Sequence, residues 1–122
     1  MISYNNFFNM YYYSLRIDAP EDLYDEIDTI LGVKSNFSPA AGWGLELTYK
    51  KDEPEDVYFI DYFLSKLKGK YQELEKIGVT RDDITVWMLY EYKGQCNMWF
   101  PAKAIYELGK EGIDFAISCW EN

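Results

Sequence analysis

ITVWMLYEY, residues 84–92, is the stretch that decides the fold. Large side chains occupy both faces of its period-two pattern, which is typical of a central strand. Lys93 and Gly94 follow as a turn signal, and residues 95–100 are predicted to return as the second arm of a hairpin. We therefore expect a sheet that is built outward from residues 84–92.

Three further segments alternate in the same way and are predicted to be strands. They cover residues 10–17, 43–50 and 113–120. In the first of them Tyr13, Leu15 and Ile17 share one face, while Ser14 and Arg16 share the other. Each of these strands is therefore expected to bury one face against a core.

Three helices are predicted between the strands. The first follows Pro20 and its acidic neighbours and stops at Gly32, because proline suits a helix start and glycine suits a helix end. The second is expected to run without a break from Pro54 to Gly78. The third begins at Pro101 and ends before Gly112. The expected inner faces are Leu23, Ile27, Ile30 and Leu31, then Val57, Ile60, Leu64, Leu67, Tyr71 and Leu74, then Ala102, Ile105 and Leu108.

The predicted order of elements is β-α-β-α-β-β-α-β. It corresponds to an α+β domain, with a mainly antiparallel five-stranded sheet and the helices on one face. Without its first two elements, this order is the ferredoxin-like split pattern. We expect one domain over residues 1–122, with residues 1–9 as a tail or an edge strand.

The stretch from Tyr11 to Glu121 resembles a bacterial family of small domains of unknown function, the DUF4279 group. The resemblance rests on YSLRI at 13–17, LGV at 31–33, the Gly42 and Trp43 pair, GQCNM at 94–98 before Phe100 and Pro101, and ISCWE at 117–121. It implies a compact α+β domain. It implies no established activity and assigns no site residues.

Charge and composition exclude several classes of partner. The net charge is −9, from 12 basic and 21 acidic residues, which argues against nucleic acid and anionic membrane surfaces. The first residues have no positive region and no long apolar run, so we expect neither a signal peptide nor a membrane span. The predicted location is the cytoplasm, where both cysteines would stay reduced.

The sequence offers no recognisable catalytic motif. Histidine is absent, which removes histidine-dependent nucleophile systems and the commonest zinc ligand. Cys96 and Cys119 alternate with apolar neighbours and are expected to be buried and inert. Glu46 and Glu91 could face each other across the sheet, although solvated surface charge explains them more simply. We expect no cofactor and no metal.

An aromatic set on the predicted sheet is the candidate binding site. If the helices cover the face of Met88, Met98 and Ile117, the opposite face carries three tryptophans beside polar residues. The candidate set is Trp87, Trp99, Trp120, Asn97, Ser118 and Glu46. Soluble monomers rarely leave such a patch bare. Three coverings remain open: residues 1–9 or the first helix, a homodimer, or a partner protein or small ligand.

These features favour a non-enzymatic protein-binding or interaction module. One version is an immunity-type protein that neutralises a basic toxin, because acidic surfaces speed the capture of basic partners. The alternatives are a homo-oligomeric structural unit and a small hydrolase-like enzyme that uses carboxylates or a thiol.

Overall fold

The computed structural model of the chain describes residues 10–50 and 58–121. These residues form one four-stranded sheet of order β2-β1-β3-β4. The strands are β1 (Met10–Ile17), β2 (Trp43–Lys50), β3 (Ile84–Tyr92) and β4 (Asp114–Glu121). The helices are α1 (Tyr24–Leu31), α2 (Tyr58–Leu67), α3 (Tyr71–Lys76) and α4 (Ala102–Glu111), and short 3₁₀ turns cover Glu21–Leu23, Pro39–Ala41 and Arg81–Asp83.

The sheet is mixed. Strand β1 pairs antiparallel with β2 and β3, so that Leu15 lies opposite Leu45 on one side and Val86 on the other. Strand β4 runs parallel to β3, with Phe115 beside Val86. A parallel neighbour requires a crossover connection, which α4 supplies. The α+β class is confirmed.

The prediction of a mainly antiparallel sheet with five strands is not confirmed in its detail. Residues 95–100, predicted as a hairpin arm, belong to no strand. Among the described residues, their backbone makes no hydrogen bond to the backbone of another segment. The chain instead leaves β3 through a turn and returns through α4, so β3 takes β4 as its parallel neighbour.

One face of the sheet packs against the helices and forms the core. Alternate strand residues turn towards it, and the aromatic ring of Tyr13 stacks on Phe59 of α2 with ring centroids 3.9 Å apart. Burial of each large apolar side chain contributes about 1.5–3 kcal/mol. The buried strand residues are Tyr13, Leu15, Ile17, Trp43, Leu45, Ile84, Val86, Met88 and Tyr90, and the buried helix residues include Ile27, Leu31, Phe59, Ile60, Phe63, Leu64, Leu67, Leu74 and Leu108.

Two of the helix predictions need correction. The second predicted helix is two helices, because α2 ends before Gly69, whose φ of 78° is left-handed and cannot continue an α-helix. Its predicted acidic start lies outside the described residues. In α4, Ala104 and Leu108 are buried, whereas Ala102 and Ile105 are exposed. Positions four residues apart, rather than three, therefore face the core.

Candidate functional site

Four of the six predicted site residues lie on the sheet face that points away from the helices, which we call the outer face. Ser14 lies opposite both Glu46 and Trp87, and Leu89 lies beside Ser118. Trp120 lies beside Glu91. These positions alternate with the buried residues of the same strands, so the placement follows from strand geometry.

The other two predicted residues lie elsewhere. Asn97 and Trp99 belong to the connection between β3 and α4, and both are exposed, Trp99 to 80%. They were assigned to the outer face through a hairpin arm that does not form. The six residues therefore do not make a single site.

An aromatic and arginine stack lies on the outer face, towards the end of the sheet where β1 ends. The Arg16 guanidinium lies 5.0 Å from the Trp87 ring centroid and 5.4 Å from that of Phe37. Its Nε donates a hydrogen bond to Ser14 Oγ at 3.0 Å, and Ser14 is fully buried. We call Phe37, Arg16 and Trp87 the Arg16 stack. Because of it, Trp87 is half-buried by the chain itself.

Phe37 reaches the stack because β2 carries a glycine beneath it. A Cβ atom at Gly44 would overlap the Phe37 ring. A glycine inside a strand often marks such a close approach, and this was the signal in the sequence that could have identified Phe37. Nothing comparable pointed to Arg16, which alternates as an ordinary strand residue.

The first helix does not cover the outer face. Ile27 and Leu31 of α1 pack into the core on the opposite side. The Trp43 indole donates a hydrogen bond to Asp28 Oδ1 at 2.7 Å, which fixes α1 to the same side. The prediction that the first helix covers the candidate aromatic set is therefore wrong. Residues 1–9 lie outside the described residues.

The first half of the free edge of β2, at Gly44 and Glu46, is paired by the loop that follows α1. The Asn36 side chain donates a hydrogen bond to the Glu46 carbonyl at 3.0 Å and accepts one from the Glu46 amide at 2.8 Å. Ser35 Oγ accepts a hydrogen bond from the Gly44 amide at 3.0 Å, and the Asn36 amide donates to the Gly44 carbonyl at 2.9 Å. An edge whose polar groups are paired in this way is protected from adding another strand.

The other edge of the sheet lacks such a cover in the part of the chain that the structure describes. Residues 117–121 of β4 are exposed, including Ile117 on the helix-facing side and Trp120 on the outer side. Among the described residues, two of the exposed large hydrophobic residues, Ile117 and Trp120, lie on β4, and three more lie in the segment that leads to it: Trp99, Ile105 and Tyr106. We call residues 114–121 the β4 edge. The sequence analysis missed Ile105, Tyr106 and Ile117 as exposed residues.

An open cleft lies beside α1, at the end of the molecule that carries the 3₁₀ turn Glu21–Leu23. Its volume is about 390 Å³, and its walls include four carboxylates and one lysine: Glu21, Asp22, Asp25, Asp28 and Lys34. Asp28 has a structural role there, because its Oδ1 accepts hydrogen bonds from Trp43 and from the Ser35 amide. The described residues contain no group of three or more His, Cys, Asp or Glu side chains placed to hold a metal ion.

The carboxylates proposed to face each other across the sheet are far apart. Glu46 lies opposite Ser14, whereas Glu91 lies opposite Met10 on the other side of β1. Two strand spacings and a four-residue offset separate them by roughly 16 Å. Paired carboxylates that act as acid and base lie within about 10 Å of each other. These two glutamates therefore cannot act as such a pair.

The two cysteines are neighbours rather than separate buried thiols. The connection that carries Cys96 contacts β4 on either side of it, through Gly94 on Glu121 and through Phe100 on Phe115, which brings Cys96 level with Cys119. Cys96 is half-buried, but Cys119 is exposed, so the expectation that both are buried is wrong. Burial, with a further contribution from the Cys119 thiol, raises the pKa of Cys96 above its usual range.

No helix in the described ranges has both the length and the apolar character needed to cross a membrane. Comparison of the chain with protein-family models, with curated proteins and with solved structures finds no match. The resemblance to the DUF4279 group stays a prediction.

Proposed function

We propose that this protein is a non-enzymatic interaction module that binds an extended segment of a basic protein along the β4 edge. The partner segment would add to the sheet as a further strand. In this mode main-chain hydrogen bonds supply affinity, and side chains on alternate positions supply specificity.

The observation that carries the proposal is the contrast between the two edges of the sheet. The β2 edge is paired by Ser35 and Asn36 at Gly44 and Glu46. The β4 edge exposes Ile117 to 43% and Trp120 to 42%, one on each face of the strand. Proteins commonly protect their edge strands, so an edge with apolar residues on both faces favours a binding role.

Charge favours a basic partner over a second copy of the chain. The chain carries a net charge of −9, and β4 begins at Asp114 and ends at Glu121. In full antiparallel self-pairing, Asp114 of one copy would lie opposite Glu121 of the other. Like charges that lie directly opposite each other destabilise a strand pair. A partner segment flanked by lysine or arginine would instead place positive charge opposite the acidic residues at both ends of β4.

Three synthetic peptides test the proposal directly. They share a core of alternating valine and threonine and carry lysine, serine or glutamate at both ends. We expect the lysine peptide to shift the amide resonances of residues 114–121 and the Trp120 indole in NMR titrations. It should bind about tenfold more tightly than the glutamate peptide at low salt, because two ion pairs at the rim contribute about 0.7 kcal/mol each.

Matched variants locate the binding surface. Ile117→Lys places a charge on the β4 edge and should abolish binding, whereas Thr48→Lys places the same charge on β2 and should leave it unchanged. Shifts confined to the Arg16 stack, equal affinity for all three peptides, or no binding would each contradict the proposal. If the chain forms a concentration-dependent dimer and the resonances of residues 114–121 shift with it, the β4 edge binds a second copy of the chain and the proposal of a basic partner is wrong.

A further inference from the structure

We infer that Cys96 and Cys119 form a redox-modification site, at which a low-molecular-weight disulfide such as oxidised glutathione converts the two thiols into an intrachain disulfide. The bond would fasten the connection between β3 and α4 onto strand β4. This chemistry requires no partner at the β4 edge, although Cys119 belongs to that strand.

The path of the connection brings the two thiols together. The Gly94 amide donates a hydrogen bond to the Glu121 carboxylate at 3.3 Å. Further along, the Phe100 ring packs edge-on against Phe115, with ring centroids 5.3 Å apart. Between these contacts the connection runs antiparallel to β4, so Cys96 is matched with Cys119.

The side chains of the connection alternate in a way that directs Cys96 inward. Cys96, Met98 and Phe100 are half-buried against the core, whereas Gln95, Asn97 and Trp99 are exposed. On β4, Cys119 lies beside the buried Tyr90 and so belongs to the helix-facing side of the strand. The two side chains therefore lie on the same side of the sheet, level with each other along β4.

The difference in exposure assigns the order of the two steps. Cys119 is exposed, whereas Cys96 is half-buried and its pKa is raised by burial and by the neighbouring thiol. A less accessible thiol with a smaller thiolate fraction reacts more slowly. Cys119 is therefore the first nucleophile, and Cys96 is the resolving thiol.

The exchange balances in atoms and electrons. The Cys119 thiolate attacks one sulfur of oxidised glutathione, forms a mixed disulfide and releases one glutathione thiolate. The Cys96 thiolate then attacks Cys119 Sγ, forms the intrachain bond and releases the second glutathione. Both cysteines lose a proton and are oxidised, and the glutathione disulfide accepts the two electrons and becomes two thiols.

The consequence is a covalent loop around α4. Closing a loop of this length restricts the unfolded chain and stabilises the folded one. Oxidised protein should unfold roughly 10 °C above the reduced form of the same preparation. This comparison uses one chain in two redox states and requires no variant.

The test equilibrates the full chain in glutathione buffers of increasing oxidised fraction and follows free thiols, intact mass and peptide maps. We expect the wild type to lose both thiols together as a monomer with no retained glutathione. Cys96→Ser should accumulate a stable glutathione adduct on Cys119. Cys119→Ser should react at Cys96 at least about tenfold more slowly, and circular dichroism of each variant checks that it is folded.

The inference would be overturned by stable glutathione adducts on both cysteines of the wild type. Disulfides formed only between chains would overturn it as well, as would thiols that stay free in fully oxidised buffer. Faster modification of Cys96 than of Cys119 in the two serine variants would overturn the assigned order.

Discussion

Replacing Arg16 tests whether the stack on the outer face is a stabilising part of the fold. Arg16→Met keeps most of the side-chain length and removes the charge and every hydrogen-bond donor. Two ring contacts and the hydrogen bond to Ser14 are lost together. The expected result is a clear loss of stability with the fold retained, because the core lies on the other face of the sheet.

The magnitude follows from the three lost contacts. Each cation–π contact at a half-exposed site contributes about 0.5–1 kcal/mol. Ser14 is fully buried, so a hydroxyl left without its partner costs a further 1–2 kcal/mol or so. The free energy of unfolding should therefore fall by about 2–4 kcal/mol. For a chain of 122 residues this corresponds to a decrease in Tm of roughly 8–16 °C.

Urea unfolding of four proteins measures this effect: the wild type, Arg16→Met, Ser14→Ala and the double variant. The cycle should give a coupling energy of about 1 kcal/mol, because Ser14→Ala removes the hydroxyl that Arg16→Met leaves unpaired. Lys68→Met, at an exposed position after α2, is the matched control and should change stability by less than about 0.5 kcal/mol.

The reasoning fails if Arg16→Met lies within about 0.5 kcal/mol of the wild type, or if the two single substitutions are additive. Either result would mean that the stack carries no net stabilising energy. Arg16→Lys should be intermediate, because an ammonium keeps the charge but lacks the planar fork that stacks on rings.

Two further predictions concern buried polar groups. Asp28→Ala should lower the free energy of unfolding by about 2 kcal/mol in urea titrations, because the Trp43 indole N–H would lose its acceptor and this side chain is only 1% exposed. Adding Trp43→Phe should then recover part of the lost stability. A double variant whose two effects simply add would contradict this prediction. Burial raises the pKa of Tyr71 and Tyr90, so folding favours the neutral forms of both phenols. Their contribution to the free energy of unfolding should be fully present below the unfolded-state pKa of about 10. It should fall as the pH rises above that value towards the folded-state pKa values. Urea unfolding between roughly pH 8 and 11 measures this slope, and Tyr71→Phe with Tyr90→Phe should flatten it; an unchanged slope in that variant would show that these phenols are not its source.

Period-two alternation identified the four strands that the described residues form, and one at 95–100 that does not form. The boundaries predicted for residues 10–17, 43–50 and 84–92 agree with the structure, and the last strand is displaced by a single residue. The helix stop at Gly32 is also confirmed, with a left-handed φ of 71°. Both signals are local, because strand pleating and a left-handed glycine depend only on neighbouring residues.

The errors arose where a local pattern competed with a distant contact. Residues 95–100 alternate like a strand, yet they lie on the side chains of β4 instead of pairing with β3. The long apolar pattern after residue 54 hid the break at Gly69. Alternation and helical spacing report which side chains point inward, but they do not report which segment supplies the neighbour.

The candidate site was predicted in part for the same reason. Trp87, Trp120, Ser118 and Glu46 share the outer face because alternation places them there. Trp99 and Asn97 do not, because their assignment required a particular strand pairing. Two sets of contacts at or near the candidate site join segments that are far apart in the chain. Phe37 and Trp87 both stack on Arg16, and the connection that carries Cys96 contacts β4 on either side of Cys119.

The sequence by itself determined the α+β class, four strands with their inward and outward faces, and the acidic character of this protein, because these depend on the spacing and charge of neighbouring residues. Only the tertiary structure decided the parallel placement of β4, the pairing of part of the β2 edge by Asn36 and the alignment of Cys96 with Cys119. Those features depend on which distant segments come into contact, and such contacts are selected by the packing of the whole core rather than by any local pattern.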